Sequence, residues 1–190
     1  MLLSNRCKKE LIDLLYLVIS DWAHNSGYKC SKRFLLTFDL DFVQEASWAD
    51  TYNGREVSVI GVMRSSIRRI CFARQFVRLD SMSTLVHELA HAVQLFNYGR
   101  LFDFAYSKEV MQQPHETNKF ECEANMAELC FLNVLTKDKG LARDLVYFTF
   151  DYAPAKRLME SNVHEYYTPE WPYWNEPGFK AHRKSWWLRR

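Results

Sequence analysis

The amino-acid sequence predicts an α+β fold in which a small, mostly antiparallel sheet packs against helices. Three observations support this fold class: a helical hydrophobic period near the N-terminus, alternating β-branched segments in the middle of the chain, and two long helical patterns after them. With 190 residues, of which 48% are hydrophobic, the chain can form one core without disulfides. We expect one domain at residues 1–165 and an aromatic, basic tail at 166–190 packed on it.

The N-terminal half predicts one helix followed by strands. Apolar residues recur at intervals of three and four over residues 6–24, which is typical of an amphipathic helix, and residues 25–27 (NSG) end it. Strands are predicted at residues 33–40, 56–63 and 67–74, because these segments alternate and are rich in β-branched and aromatic side chains. These strands form the predicted sheet.

The C-terminal half predicts two long helices. Asp80 or Ser81 can cap the first of them, which stops at Gly99. A loop follows, and the second long helix covers about residues 118–135. A shorter helix is predicted at residues 141–148.

Charge and cysteine content indicate which partners and which cellular compartment to expect. The formal net charge of +2 is too small to indicate a nucleic-acid or membrane partner. The apolar segment 11–19 is shorter than a membrane span and contains Asp13, so we interpret it as a core-facing helix. Five scattered cysteines without a secretion signal are typical of reduced thiols. We therefore expect a cytoplasmic protein without a membrane partner.

Residues 87–91 read HELAH, which is a zinc-binding pattern. Residues four apart lie on one face of a helix, so His87 and His91 can bind one zinc ion (Zn2+). A catalytic zinc site needs a third protein ligand and an open position for water. Glu88 is the predicted general base, which takes a proton from a water whose pKa zinc lowers to about 7.

A chance match to this short pattern is the alternative interpretation. The flanking residues make the helix apolar on most faces, so it should be largely buried. Buried histidines need polar partners, and one shared metal ion would satisfy both. The surroundings therefore favour the metal site.

The third ligand is left open by the pattern itself. Gln94 and Asn97 occupy positions where the longer metzincin pattern requires glycine and histidine, so that pattern is excluded. The downstream candidates are His115, Glu116, Glu121, Glu123 and Glu128, and the main alternatives to Glu121 are His115 and Glu123.

Helical geometry favours Glu121 over Glu123. Asn125 follows Glu121 by one turn and Glu128 by two turns, so the three share a helix face. A metal-bound histidine usually donates its other ring N–H to a nearby acceptor, and Asn125 could be that acceptor. Glu123 points about 160° away from this face, and a solvated surface is the usual place of a glutamate.

With these residues identified, segments 85–94 (LVHELAHAVQ) and 121–128 (ECEANMAE) resemble HExxH zinc peptidases of the glutamate-ligand, gluzincin-like type. The resemblance is to ImmA/IrrE-type metallopeptidases of phages and mobile elements. It implies a zincin-like fold, with the sheet packed on the N-terminal helix, the HExxH helix and a glutamate-bearing helix, and it implies Glu121 as third ligand. Residues 70–91 also resemble SprT-like peptidases, whose third ligand is a histidine, a place that only His115 could take.

A hydrolase of this kind needs a group that stabilises the oxyanion. Tails that follow the glutamate helix often close over a zincin cleft, so the first candidates are His164 and Tyr167. Other tyrosines that could serve are Tyr98, Tyr106 and Tyr166.

Residues 180–190 (KAHRKSWWLRR) interleave basic residues with two tryptophans, a pattern that can bind single-stranded nucleic acid. A docked tail with buried tryptophans is the favoured interpretation. The leading hypothesis is a zinc endopeptidase with a protein or peptide substrate. The alternatives are a nucleic-acid-associated metallopeptidase and a non-catalytic, zinc-stabilised interaction protein in defence or anti-defence, against which Glu88 argues.

Overall fold

The computed structural model describes residues 2–43, 47–52, 55–73, 78–113 and 117–138, together with Leu141 and Leu145. All of them belong to the first of the two units into which the chain divides, Met1–Phe148. The predicted boundary near residue 165, the tail at 166–190 and most of the predicted helix at 141–148 lie outside the described residues.

The first helix, α1, covers Asn5–Asn25 and confirms the predicted N-terminal helix. Ser4 caps it by accepting a hydrogen bond from the backbone N–H of Cys7 at 3.2 Å. Gly27, with a φ of 79°, lets the chain turn away after the helix ends. The apolar face of α1 is buried in the core through Leu11, Ile12, Leu15, Val18, Ile19, Trp22 and Ala23.

Five strands follow among the described residues: β1 (Asp39–Val43), β2 (Trp48–Tyr52), β3 (Arg55–Val59), β4 (Gly61–Arg64) and β5 (Arg69–Ala73). The main sheet has the order β1–β5–β4, while β2 and β3 form a separate antiparallel pair. In the main sheet β1 pairs with β5 in parallel and β4 pairs with β5 antiparallel. This sheet is therefore mixed, where the sequence predicted mostly antiparallel pairing. The chain between β1 and β5 is long enough for the crossover that a parallel pair requires.

Two predicted strands were wrong in their bounds. The segment predicted as a strand at 33–40 contains a short helix, α2 (Lys32–Leu35), whose first turn is capped by the side chain of Ser31. The segment predicted as one strand at 56–63 is two strands, β3 and β4, which separate at Ile60 and join different sheets. Local alternation does not reveal which sheet a strand joins, because pairing is a long-range contact.

The remaining helices are α3 (Arg78–Tyr98), α4 (Phe102–Gln112) and α5 (Lys119–Lys137). Helix α3 begins before the predicted caps, Asp80 and Ser81, and ends where predicted, next to Gly99 with a φ of 58°. Helix α4 occupies a segment that the sequence predicted to be a loop. Helix α5 confirms the second long helix.

Helix α3 lies at the centre of this unit. It packs against α1, α4 and α5 and also against strands β4 and β5. Every residue from Ser81 to Leu95 is buried except His87, which is half-buried. Among the described residues, no helix combines the length and hydrophobicity of a membrane span.

Candidate metal centre

Two histidines lie one turn apart on α3 and turn their rings to the same point. The Nε2 atoms of His87 and His91 are 3.2 Å apart. The ring centroids are 4.9 Å apart and the rings are nearly perpendicular, at 79°. His91 is buried, and the side chain of His87 keeps 16% of its surface exposed. This arrangement follows from the helical spacing of four residues.

Helix α5 brings a carboxylate to the same point. Glu121 is buried, and its Oε2 lies 3.1 Å from Nε2 of His87. Its Oε1 lies 3.4 Å from Nε2 of His91. Ligand atoms of the three residues all lie within 4.8 Å of one another. Among the predicted third ligands that the structure describes, Glu121 is the one that lies against both histidines.

The donor set fits a zinc ion in both chemistry and spacing. Ligand atoms at about 2.0–2.1 Å from a tetrahedral zinc are about 3.3 Å from each other. Nε2 of His87 lies 3.2 Å from Nε2 of His91 and 3.1 Å from Oε2 of Glu121, and Nε2 of His91 lies 3.4 Å from the other carboxylate oxygen, Oε1. Two imidazoles and one carboxylate also form the set that known catalytic zinc sites use. These three residues could therefore hold a zinc ion.

The charges in this cluster act strongly on one another. Burial by itself lowers the pKa of His87, but the hydrogen bond to Glu121 and the nearby carboxylate of Glu128 outweigh it and raise that pKa to about 10. Burial acts to raise the pKa of Glu121, but the two imidazoles hold it well below its usual range. The cluster thus stabilises positive charge between these side chains, which is the electrostatic requirement for a cation site.

The predicted general base, Glu88, lies in a tight contact with the edge strand β4. Glu88 is buried, and the backbone of Met63 hydrogen-bonds its carboxylate. A Cβ added at Gly61 would lie 2.6 Å from Oε1 of Glu88 and 2.6 Å from Cγ2 of Thr84. Burial raises the pKa of Glu88. A glycine inside a predicted strand is a known signal of such a close approach, and the sequence prediction did not use it.

Each histidine has a different partner at its outer nitrogen. Nδ1 of His91 lies 2.8 Å from Oε1 of Gln94. Nδ1 of His87 lies 3.8 Å from Oε2 of Glu128, whose other oxygen accepts a hydrogen bond from the hydroxyl of Ser83. The sequence predicted Glu128 on this face but assigned it no contact with His87, and it assigned Gln94 no contact with the site.

Asn125 was predicted to accept the outer N–H of a ligand histidine, and this was wrong. Asn125 is exposed and makes no side-chain hydrogen bond to any described residue. Viewed along the axis of α5, the buried Ala124 lies about 60° to one side of Glu121. Asn125 lies about 40° to the other side, away from the buried face. The helix is therefore rotated relative to the prediction.

Glu123, an alternative third ligand, contacts a different set of residues. Its Oε2 accepts a hydrogen bond from the hydroxyl of Tyr28 at 2.6 Å and from Nε2 of Gln94 at 3.1 Å. It does not belong to the cluster of ligand atoms. The other alternative, His115, and the candidate oxyanion groups His164, Tyr166 and Tyr167 lie outside the described residues.

Of the remaining tyrosine candidates, one reaches the centre. Tyr106 on α4 donates a hydrogen bond from its hydroxyl to Oε1 of Glu121, and its ring meets that of His91 edge-on with centroids 5.8 Å apart. Tyr98 instead packs against Phe120, with centroids 5.2 Å apart. Tyr106 was named as a candidate but not preferred, because the tail residues His164 and Tyr167 were expected to close over the cleft.

Comparison with known proteins gives no relative for this chain. No family model matches it, no curated protein matches it, and no solved structure matches it. The resemblance to ImmA/IrrE-type and SprT-like peptidases stays a prediction from the motifs.

Proposed function

We propose that this protein is a zinc-dependent hydrolase, specifically an endopeptidase that acts on a protein or peptide substrate. The observation that carries the proposal is the convergence of His87, His91 and Glu121, whose ligand atoms all lie within 4.8 Å of one another. These residues come from two helices and offer two imidazoles and one carboxylate, a donor set that catalytic zinc sites use.

Glu88 supports a catalytic rather than a purely structural site. A zinc ion held by the cluster would supply a Lewis acid that activates water and polarises a carbonyl group. Glu88 would accept a proton from the water and deliver it to the leaving nitrogen. Its burial raises its pKa, which favours uptake of a proton from the water. A structural zinc site has no need of such a group.

The edge strand β4 supports an extended peptide as substrate. Strand β4 pairs only with β5 among the described strands, and the backbone of Met63 also makes a hydrogen bond to the carboxylate of Glu88. The edge of β4 that pairs with no described strand therefore faces the proposed general base. Peptides commonly add to such an edge as an extra strand, which would lead a bound chain past Glu88.

The proposal is tested by metal analysis and by one conservative substitution. Purified protein should contain about one zinc per chain, and His91→Ala should lose it. Glu88→Gln should keep zinc and fold while losing cleavage of an unstructured protein such as casein, because an amide cannot accept the proton.

Each negative outcome of these experiments contradicts a different part of the proposal. Protein that takes up no zinc at neutral pH would contradict the metal site. A Glu88→Gln variant as active as the parent would contradict the catalytic assignment. Zinc uptake without cleavage of any peptide would favour the non-catalytic alternative. The nucleic-acid alternative depends on residues 180–190, which lie outside the described residues.

A further inference from the structure

A chain of buried hydrogen bonds lies behind His91, on the side opposite the candidate metal position. Gln94 is fully buried, and its Oε1 lies 2.8 Å from Nδ1 of His91. Its Nε2 donates to the backbone oxygen of Phe120 at 3.0 Å and to Oε2 of Glu123 at 3.1 Å. The same Glu123 oxygen accepts a hydrogen bond from the hydroxyl of Tyr28 at 2.6 Å.

These contacts fix the orientation of the Gln94 amide. A backbone carbonyl and a carboxylate can only accept hydrogen bonds, so both must face the NH₂ group of Gln94. The flipped amide would place its oxygen against the oxygens of Phe120 and Glu123, and none of these three oxygens could donate to another. Buried oxygen atoms that face one another with no hydrogen between them are costly, so only one orientation is stable.

The amide orientation in turn fixes the tautomer of His91. The oxygen of Gln94 can only accept, so Nδ1 of His91 must carry the proton. Nε2 of His91 then presents its lone pair to the point where Glu121 and Nε2 of His87 converge. This is the tautomer that a metal ligand needs, because an N–H cannot coordinate an ion.

Other contacts attach the same part of α3 to the segment after α1. Asn97 accepts a hydrogen bond from the backbone N–H of Lys29 at 2.9 Å and donates to its carbonyl at 2.8 Å. Tyr28 also packs against Trp22, with ring centroids 6.0 Å apart. The residues at positions 94 and 97, which exclude the metzincin pattern, thus both have defined partners. Of these two residues, Gln94 is the one that contacts His91.

We propose that Gln94 is a positioning residue that holds His91 in the tautomer and orientation required for metal binding, and that Glu123 and Tyr28 hold Gln94. This inference rests on the zinc site of the proposed function, and it does not depend on which reaction the site performs. Gln94 acts through His91 and does not itself bind the metal.

The main test compares zinc affinities of two variants by competition with a coloured chelator. Gln94→Leu keeps a similar volume but cannot accept the His91 N–H, and it should weaken zinc binding about tenfold to a hundredfold. Asn97→Ala is the matched control, because it loosens the same attachment of α3 without touching His91. Equal losses in both variants would overturn the inference in favour of a merely structural role.

A second readout needs neither zinc nor activity. Long-range nitrogen–proton NMR correlations report which imidazole nitrogen carries the proton. Metal-free wild-type protein should show His91 protonated at Nδ1, and Gln94→Leu should show a mixture of tautomers. Wild-type His91 protonated at Nε2 alone would overturn the inference. A protein that binds no zinc but has the expected tautomer would contradict the proposed function and leave the positioning role intact.

Two substitutions of Glu123 test the inference if Gln94→Leu does not fold. Glu123→Ala should weaken zinc binding by less than Gln94→Leu is expected to, because the amide keeps its bond to Phe120. Glu123→Gln keeps an oxygen that can accept from both Gln94 and Tyr28, so it should restore the wild-type affinity. If Glu123→Ala bound zinc as tightly as wild type, the proposed support of Gln94 by Glu123 would be wrong.

Discussion

The two histidines of the candidate centre face the same carboxylate through Nε2 and different groups through Nδ1. Both present Nε2 to Glu121. Behind His91 is a neutral, fully buried amide at 2.8 Å, whereas behind His87 is a carboxylate at 3.8 Å. His91 is itself buried, while His87 is the one half-buried residue between Ser81 and Leu95.

This difference separates two ways of supporting a ligand. A short hydrogen bond to a locked amide is directional, and it fixes the orientation of His91 without using charge. A carboxylate at the longer distance acts on His87 mainly through its charge, which depends on pH and on salt. We therefore expect His91 to be the rigid ligand and His87 to be the responsive one.

The largest loss of zinc affinity should follow removal of the group that both histidines share. Glu121→Ala removes a ligand and a negative charge, and it should weaken zinc binding by more than the roughly hundredfold typical of supporting residues. Asn125→Ala is the control on the same helix, since its side chain is exposed. If chelator competition showed Asn125→Ala to be the weaker binder, the assigned face of α5 would be incorrect.

The next largest effect should be that of pH, acting through His87. Its pKa is raised from 6.5 to about 10 despite burial, so its charged form stabilises the metal-free protein fully below pH 6.5. That stabilisation is lost as pH rises through about 10. Zinc must displace this proton, so its affinity should rise by about tenfold per pH unit within this window. Thermal unfolding should show the gap between zinc-loaded and metal-free protein widening with pH. A gap that narrowed would contradict the assignment.

A smaller effect is expected from the carboxylate behind His87. Glu128→Gln removes the charge 3.8 Å from Nδ1 of His87 but keeps a group that can accept from Ser83. Zinc binding should weaken by about tenfold or less, and added salt should reduce the difference from wild type. Gln94→Leu should show no such salt dependence. Equal salt dependence in the two variants would remove the distinction between the two sides.

The smallest effect on zinc affinity is expected on the strand side of the centre. Gly61→Ala would place a Cβ 2.6 Å from Oε1 of Glu88. Glu88 must then shift, so hydrolysis should fall strongly while zinc affinity stays near that of wild type. Ile60→Ala, at an exposed neighbouring position, should leave both unchanged. Loss of zinc in Gly61→Ala would show that β4 supports the ligands as well as the proposed general base.

The sequence by itself determined the parts of this protein that depend on helical spacing. The predictions of α1, α3 and α5 were confirmed, because hydrophobic period and end signals are local. The convergence of His87 and His91 follows from their separation by four residues on one helix. Glu121 was reached by the same reasoning, and it does lie against both histidines.

Only the tertiary structure decided how the elements turn toward one another. The rotation of α5 against α3 exposes Asn125 and turns Glu123 toward Gln94 and Tyr28. The division of residues 56–63 between two sheets, the parallel pairing of β1 with β5, and the contact of Tyr106 with Glu121 likewise join segments distant in sequence. Such contacts are selected by burial of the whole core, because the spacing of residues within one element does not specify which neighbour its faces will meet.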